Sequence, residues 1–244
     1  MAQRTPTSQE EAEFLASYDP SAYPRPSVAV DVVVIAARDR ALHALLVRRH
    51  ERPFLGEHAL PGGFVRIDES LHDAARRVLT QKAGAQPAYL EQLHCFGAVD
   101  RDPRGRVISV AYTALVGPDL EVGPESAWCA LQIPWSGDEG GPVGVTGPAG
   151  EALPLAFDHD EILGEAARRL RRRLDHEPID RALLPAQFTL RQLQETHEAV
   201  LGRPLNKDSF RRRMLARDTL VETGDRQEEV EHRPAALYRF RAEG

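Results

Sequence analysis

The chain has 244 residues, 42% hydrophobic and 28% charged, a balance that suits a globular protein of one full-sized domain plus a smaller one. Its formal net charge of −6 excludes a globally basic nucleic-acid binder, so any such surface must be local. The longest apolar run, "VAVDVVVIAA", carries Asp31 and is too short to span a bilayer. With no secretory leader and only Cys95 and Cys129, the expectation is a cytoplasmic protein with free thiols.

Residues 1–26 are polar and interrupted by Pro20, Pro24 and Pro26, and read as an N-terminal arm. Residues 27–37, "SVAVDVVVIAA", are β-branched and mostly apolar, as a strand buried on both faces should be. "RDRA" is the turn and residues 42–49 the returning strand. The loop "HERPFLGEHALPGGFV" leads to a helix over 71–82, capped by Asp68 or Ser70 and stopped by Gly84; Leu71, Ala74, Ala75, Val78 and Leu79 form its apolar face. Strands are expected at "LHCFGAVD" and "VISVAYTALVG", joined by "RDPRGR", where Pro103 and Gly105 supply turn chemistry. Residues 134–154 are Gly- and Pro-rich and read as a long loop or loose hairpin, and 158–174 as a helix whose Asp158 and Glu161 resemble a capping box. Its basic stretch "ARRLRRRLDHEP" reads as a charged surface helix in which Glu161 and Glu165 pair with Arg168, Arg169 and Arg172.

Beyond residue 175 the pattern changes. "TLRQLQETHEAVLG" has a Thr189–Gln192 capping box, apolar spacing at Leu190, Leu193, His197 and Val200, and a stop at Gly202. A second helix begins after Asn206, and "TLVETGDRQEEVEHRPAALYRF" alternates like two strands around a polar loop. Helix, tight turn, helix, hairpin is the order of a winged helix-turn-helix. From Arg203 to Arg217, Lys207, Arg211, Arg212 and Arg213 join the two end arginines against the single acid Asp208, a local charge of +5 in an acidic chain. Helical spacing turns Phe210 and Met214 inward and Ser209, Arg212 and, less squarely, Arg213 outward. Arginine can pair bidentately with guanine, and Lys207 and Arg211 suit phosphates. Arg226 and Arg233 in the wing are weak candidates, because Glu228, Glu229 and Glu231 share that loop.

Gly63, Glu69, Arg77 and Gly84 stand at the spacing of the Nudix box, and "HALPGGFV" looks like the approach to it. The Nudix pattern continues after its arginine with acids where this chain has Val78, Gln81 and Lys82. Mg²⁺ needs oxygen ligands, usually including carboxylates. Valine offers none, glutamine a weak one, and lysine repels the ion, so metal-dependent hydrolysis is not expected. Lys82, assisted by Arg48 or Arg49, could instead hold an anion beside Gly63 and Glu69; a lysine at a helix C-terminus also suits the dipole without any ligand. Phe54 and Tyr112 are candidates to stack on a base, or core.

A degenerate Nudix domain followed by "LLPAQFTLRQLQETHEAVLGRPLNKDSFRRRML" and "HRPAALYRF" resembles the Nudix-related transcriptional regulators. "PLAFDHDEIL" looks like that family's junction helix. The resemblance implies an α+β Nudix-like mixed-sheet α/β/α sandwich at 27–175 and a winged helix-turn-helix at 176–244. It implies a repressor of NAD-metabolism genes, dimeric on a palindromic operator, whose effector is ADP-ribose or a related NAD derivative and whose box needs no catalytic cofactor. A sugar-responsive regulator of sugar catabolism and an active ADP-ribose pyrophosphohydrolase are the alternatives.

Overall fold

The computed structural model describes residues 8–84, 89–177, 179–227 and 234–241. The arm contains a helix that its prolines did not suggest, α1 (Gln9–Ser17), started by Ser8, whose side chain accepts the Glu11 amide; none of its residues is buried. The first long strand, β1 (Ser27–Arg38), pairs with β2 (Ala41–Arg48) as the expected hairpin, with Arg38 opposite Ala41. Two short strands follow, β3 (His58–Ala59) on β2 and β4 (Gly62–Phe64) on β1.

Helix α2 (Leu71–Ala83) is bounded as its sequence indicates: Ser70 accepts the Asp73 amide, and Gly84 ends the helix at φ 61°. Only a residue without a β-carbon adopts that left-handed cap without strain. Next come β5 (Tyr89–Phe96), β6 (Val107–Leu115), β7 (Ser126–Gln132) and β8 (Gly144–Thr146), then α3 (His159–Arg173). β7 was not anticipated; it closes the hairpin edge against β2. The sheet runs β5-β6-β1-β2-β7-β8, with β1 and β6 parallel.

Alternation along β1 makes the three-layer sandwich. Val30, Val32, Val34 and Ala36 pack with Ala74, Ala75, Val78 and Leu79 of α2, while Val33 and Ile35 pack with Ile162, Leu163 and Ala166 of α3. A strand covered by helices on both faces is apolar on both faces, as 30–37 is except at Asp31, which pairs with Ser109 and Arg101.

The C-terminal unit has α4 (Asp180–Leu183), β9 (Phe188–Thr189), α5 (Leu190–Leu201), α6 (Lys207–Ala216), β10 (Leu220–Arg226) and β11 (Ala236–Phe240). Its own core joins Phe188, Leu193, Phe210, Met214 and Tyr238. Ile179, Leu183 and Val200, by contrast, belong to the core of the first unit. Helix α5 also packs on β1 and β2. The wing loop with Glu228, Glu229, Glu231 and Arg233 lies outside the described residues. No described helix is long and apolar enough to cross a membrane.

Candidate functional site

β1 changes neighbours along one edge. Ala29–Asp31 pair with β4, while Ile35–Arg38 pair with β2. Where β4 and β2 diverge the sheet opens into a cleft of about 490 Å³, floored by Ala29, Asp31, Ala59 and Leu60. Arg48, Arg49, Gly63 and Lys82, all expected at the ligand, line it; Gln81 does too.

Lys82 reaches back from the end of α2 and donates from Nζ to the Gly62 carbonyl at 2.6 Å. Lost hydration of that ammonium, with Arg49 nearby, lowers its pKa from the usual lysine value, while Asp31 opposes the shift. Arg49 is anchored by the Pro53 carbonyl at 2.9 Å and lies 4.8 Å over the Phe157 ring. Desolvation and then Arg104 lower its pKa as well. At both cations loss of hydration is the main cause, and a neighbouring cation adds to it, Arg104 beside Arg49 and Arg49 beside Lys82.

Glu69 lies elsewhere. Arg77 grips both its oxygens, at 2.9 Å from Nε and 2.5 Å from Nη2, and the Arg66 amide adds a third bond at 2.9 Å. Those bonds, the Arg77 side chain first, hold the Glu69 pKa down at about 2. Arg77 also donates to the Phe64 carbonyl at 3.0 Å. Glu69 therefore clasps the loop after β4 to α2 and does not line the cleft, contrary to its expected place at the ligand. Val78 is buried under Gly63 in the core. Tyr112 is core, and Phe54 reaches the cleft only through its edge contact with Phe157, 4.8 Å between centroids.

Several cleft residues escaped the sequence reading. Arg101 is buried between two carboxylates, bonded to Asp158 at 2.5 and 2.8 Å and 3.6 Å from Asp31. This explains why the Asp158 capping box does not form: its carboxylate is committed to Arg101, and α3 begins without a side-chain cap. The buried Asp31 also accepts from Ser109 at 2.5 Å. His159 accepts the Leu60 amide on Nδ1 at 2.9 Å and points Nε2 at Asp31, 3.7 Å away. Burial lowers its pKa, so the neutral ring carries its proton on Nε2. Arg104, bound to Asp102 at 2.7 Å, lies over Phe64 and Phe157 at 5.4 and 5.8 Å. "RDPRGR" reads as turn chemistry, yet it also supplies Arg101, Asp102 and Arg104; three arginines around one acid, more charge than a turn needs, are the available signal. Among the described residues, no cluster of three or more His, Cys, Asp or Glu could hold a metal ion.

The second site is α6. The side chain of Asn206 accepts the Ser209 amide at 3.0 Å, and Phe210 and Met214 are buried as the spacing requires. Ser209 and Arg212 are exposed on the side away from them, and Lys207 and Arg211 are exposed at the flanks. Arg213, expected to face DNA, turns instead to the end of α3, 3.7 Å from Asp175, and Arg217 lies 3.4 Å from the same carboxylate. On α3 itself Arg168 pairs with Glu165 as expected, but Arg169 goes to the Gln92 carbonyl and Arg172 to Asp138. Arg171 donates to the carbonyls of Val200, Trp135 and Gly137.

Comparison with known proteins matches both units. Residues 25–136 match the model of the NUDIX domain, and 181–240 that of the NrtR DNA-binding winged helix domain. The chain is 36% identical over 247 residues to the ADPR responsive transcriptional repressor NtrR of Acinetobacter baylyi, covering 98% of this chain and 92% of the relative. It is similar to Shewanella oneidensis NrtR complexed with a 27mer DNA (TM-score 0.70, 34% identity, 88% and 93% of the two chains). It is also similar to the NUDIX domain of that protein complexed with ADP ribose (TM-score 0.51, 35% identity, 66% and 98%).

Proposed function

Because the chain belongs to the NrtR family of ADP-ribose-responsive transcriptional repressors, we propose that it represses transcription by docking α6 on operator DNA and lets go when ADP-ribose fills the cleft. The observation that carries the cleft half is the Lys82 ammonium beside Arg49, where the Nudix pattern has an acid. A diphosphate placed there meets Lys82, Arg48 and Arg49 directly, with Arg104, held over the Phe64 and Phe157 rings, lining the same cleft.

The donor set does not suit Mg²⁺. Val78 is buried hydrocarbon, Lys82 repels the ion, and both Glu69 oxygens are engaged by Arg77. The box on this reading binds its ligand without cutting it. On α6, Ser209 and Arg212 face the bases of the major groove while Lys207 and Arg211 hold phosphates. Docking as a homodimer on a palindrome follows the usual geometry of helix-turn-helix proteins, and genes of NAD biosynthesis are the expected targets.

The test is fluorescence anisotropy of the full chain on a duplex from its own upstream region at fixed salt, with and without ADP-ribose. Tight binding that ADP-ribose relieves is the expected result. Binding that answers only to sugars would move the effector to that class. Magnesium-dependent release of AMP and ribose 5-phosphate would restore the hydrolase.

A further inference from the structure

Helix α3 has one end in each site. Its first turn and the residues before it supply Phe157, Asp158 and His159 to the cleft network, through Arg49, Arg101, Leu60 and Asp31. Its other end touches both helices of the DNA-binding motif. Arg171 donates to the Val200 carbonyl at 2.9 Å, near the C-terminus of α5, and a β-carbon on Gly202 would stand 2.6 Å from the same guanidinium. Just past α3, Asp175 is shared between Arg213 and Arg217 of α6 and its C-cap. Fifteen residues of helix lie between the two ends, and that helix is packed into the core at Ile162, Leu163, Ala166 and Leu170. A helix so held moves as a unit, and a shift at one end appears at the other.

We propose that Asp175 is a positioning residue that pins the basic end of α6 to α3, so that the state of the cleft reaches the DNA-binding helix through this carboxylate. The proposal rests on the ADP-ribose gating above and assigns its route. Any coupling of this kind must be a difference in contacts between two states, because a ligand shifts an equilibrium only by its differential affinity. Asp175 is suited to such a difference. It is partly exposed, its two partners stand at 3.4 and 3.7 Å and not in tight bidentate geometry, and small rotations of α3 would tighten or release them.

The test compares wild type, Asp175→Asn and Asp175→Glu by anisotropy on the same duplex, with and without saturating ADP-ribose, and by calorimetry of ADP-ribose binding without DNA. In Asp175→Asn, ADP-ribose affinity should stay within about twofold, while the ratio of DNA affinities with and without ligand shrinks at least about threefold. Asp175→Glu, which keeps the charge, should retain most of that ratio. An undiminished ratio in Asp175→Asn sinks the proposal, and so does equal loss in Asp175→Glu, which would mark a merely structural role. If the wild type itself shows no ratio, the gating reading fails first and takes this route with it.

Discussion

Gly62 and Gly63 stand side by side in the box approach, yet the structure asks different things of them. A β-carbon on Gly62 would lie 2.1 Å from Asp31 Oδ1 and 3.0 Å from the Val30 carbonyl, inside the buried network of Arg101, Ser109 and His159. On Gly63 it would meet Val78 at 3.5 Å, ordinary contact. Gly62→Ala should therefore destabilise the fold by ~1–3 kcal/mol in urea denaturation, the scale of a forced shift in a packed core, with Gly63→Ala near neutral. Glu69 makes a pH prediction. Its folded pKa of about 2 lies below the ordinary value of 4.5, so its stabilisation is complete above pH 4.5 and fades as pH falls toward 2. Glu69→Gln should flatten stability against pH in that window and leave ADP-ribose affinity as it was. Lys82→Gln should do the reverse. It removes a charge-assisted bond to the ligand of about 1.5–3 kcal/mol, so calorimetry should find binding weaker by ~10- to 100-fold, with stability little changed.

Among the elements, the helices were the most legible in the sequence, because their ends are written in local chemistry. Ser70, Thr189 and Asn206 each cap the helix they precede, and Gly84 and Gly202 end theirs at positive φ. The α5 capping box closes on both sides, so Thr189→Ala should cost about 0.5–2 kcal/mol by chemical denaturation. What the sequence concealed are contacts between distant segments. Asp158 reads as a cap by spacing, but Arg101, remote along the chain, holds its carboxylate, and Arg213 reads as outward until Asp175 is placed beside it. The cleft was half legible for the same reason. Its Nudix-box side is one continuous stretch, whereas Arg104 and Phe157 arrive from other loops. On α6 this separates two arginines adjacent in sequence. Arg212→Ala should weaken specific binding by about 1–3 kcal/mol and relax one operator position, while Arg211→Ala should weaken all sequences alike and reduce the salt slope by ~0.9.

At the scale of the molecule, an acidic chain with a formal charge of −6 sets cations in the cleft, along α3 and on α6, and Arg101 of the cleft and Arg169 and Arg172 of α3 face acids or carbonyls of other segments. The two units are joined by packing and not by a tether alone. Arg40, in the β1–β2 turn, stands 3.6 Å from Glu195 and 3.5 Å from Glu198, and Glu198 accepts the Leu205 amide that shapes the turn between α5 and α6. Denaturation followed by the Trp128 and Trp135 fluorescence of the first unit should therefore coincide with loss of α5 and α6 followed by circular dichroism, as one transition. The membership of Ile179, Leu183 and Val200 in the core of the first unit has a practical consequence for anyone who would transplant the DNA-binding motif. Cut at residue 176 and grafted onto a foreign sensor, it would carry three apolar side chains into water and leave a void behind in the donor. A workable chimera must keep the helix together with the sheet surface it leans on, so sensor and reader are exchangeable only as a matched pair.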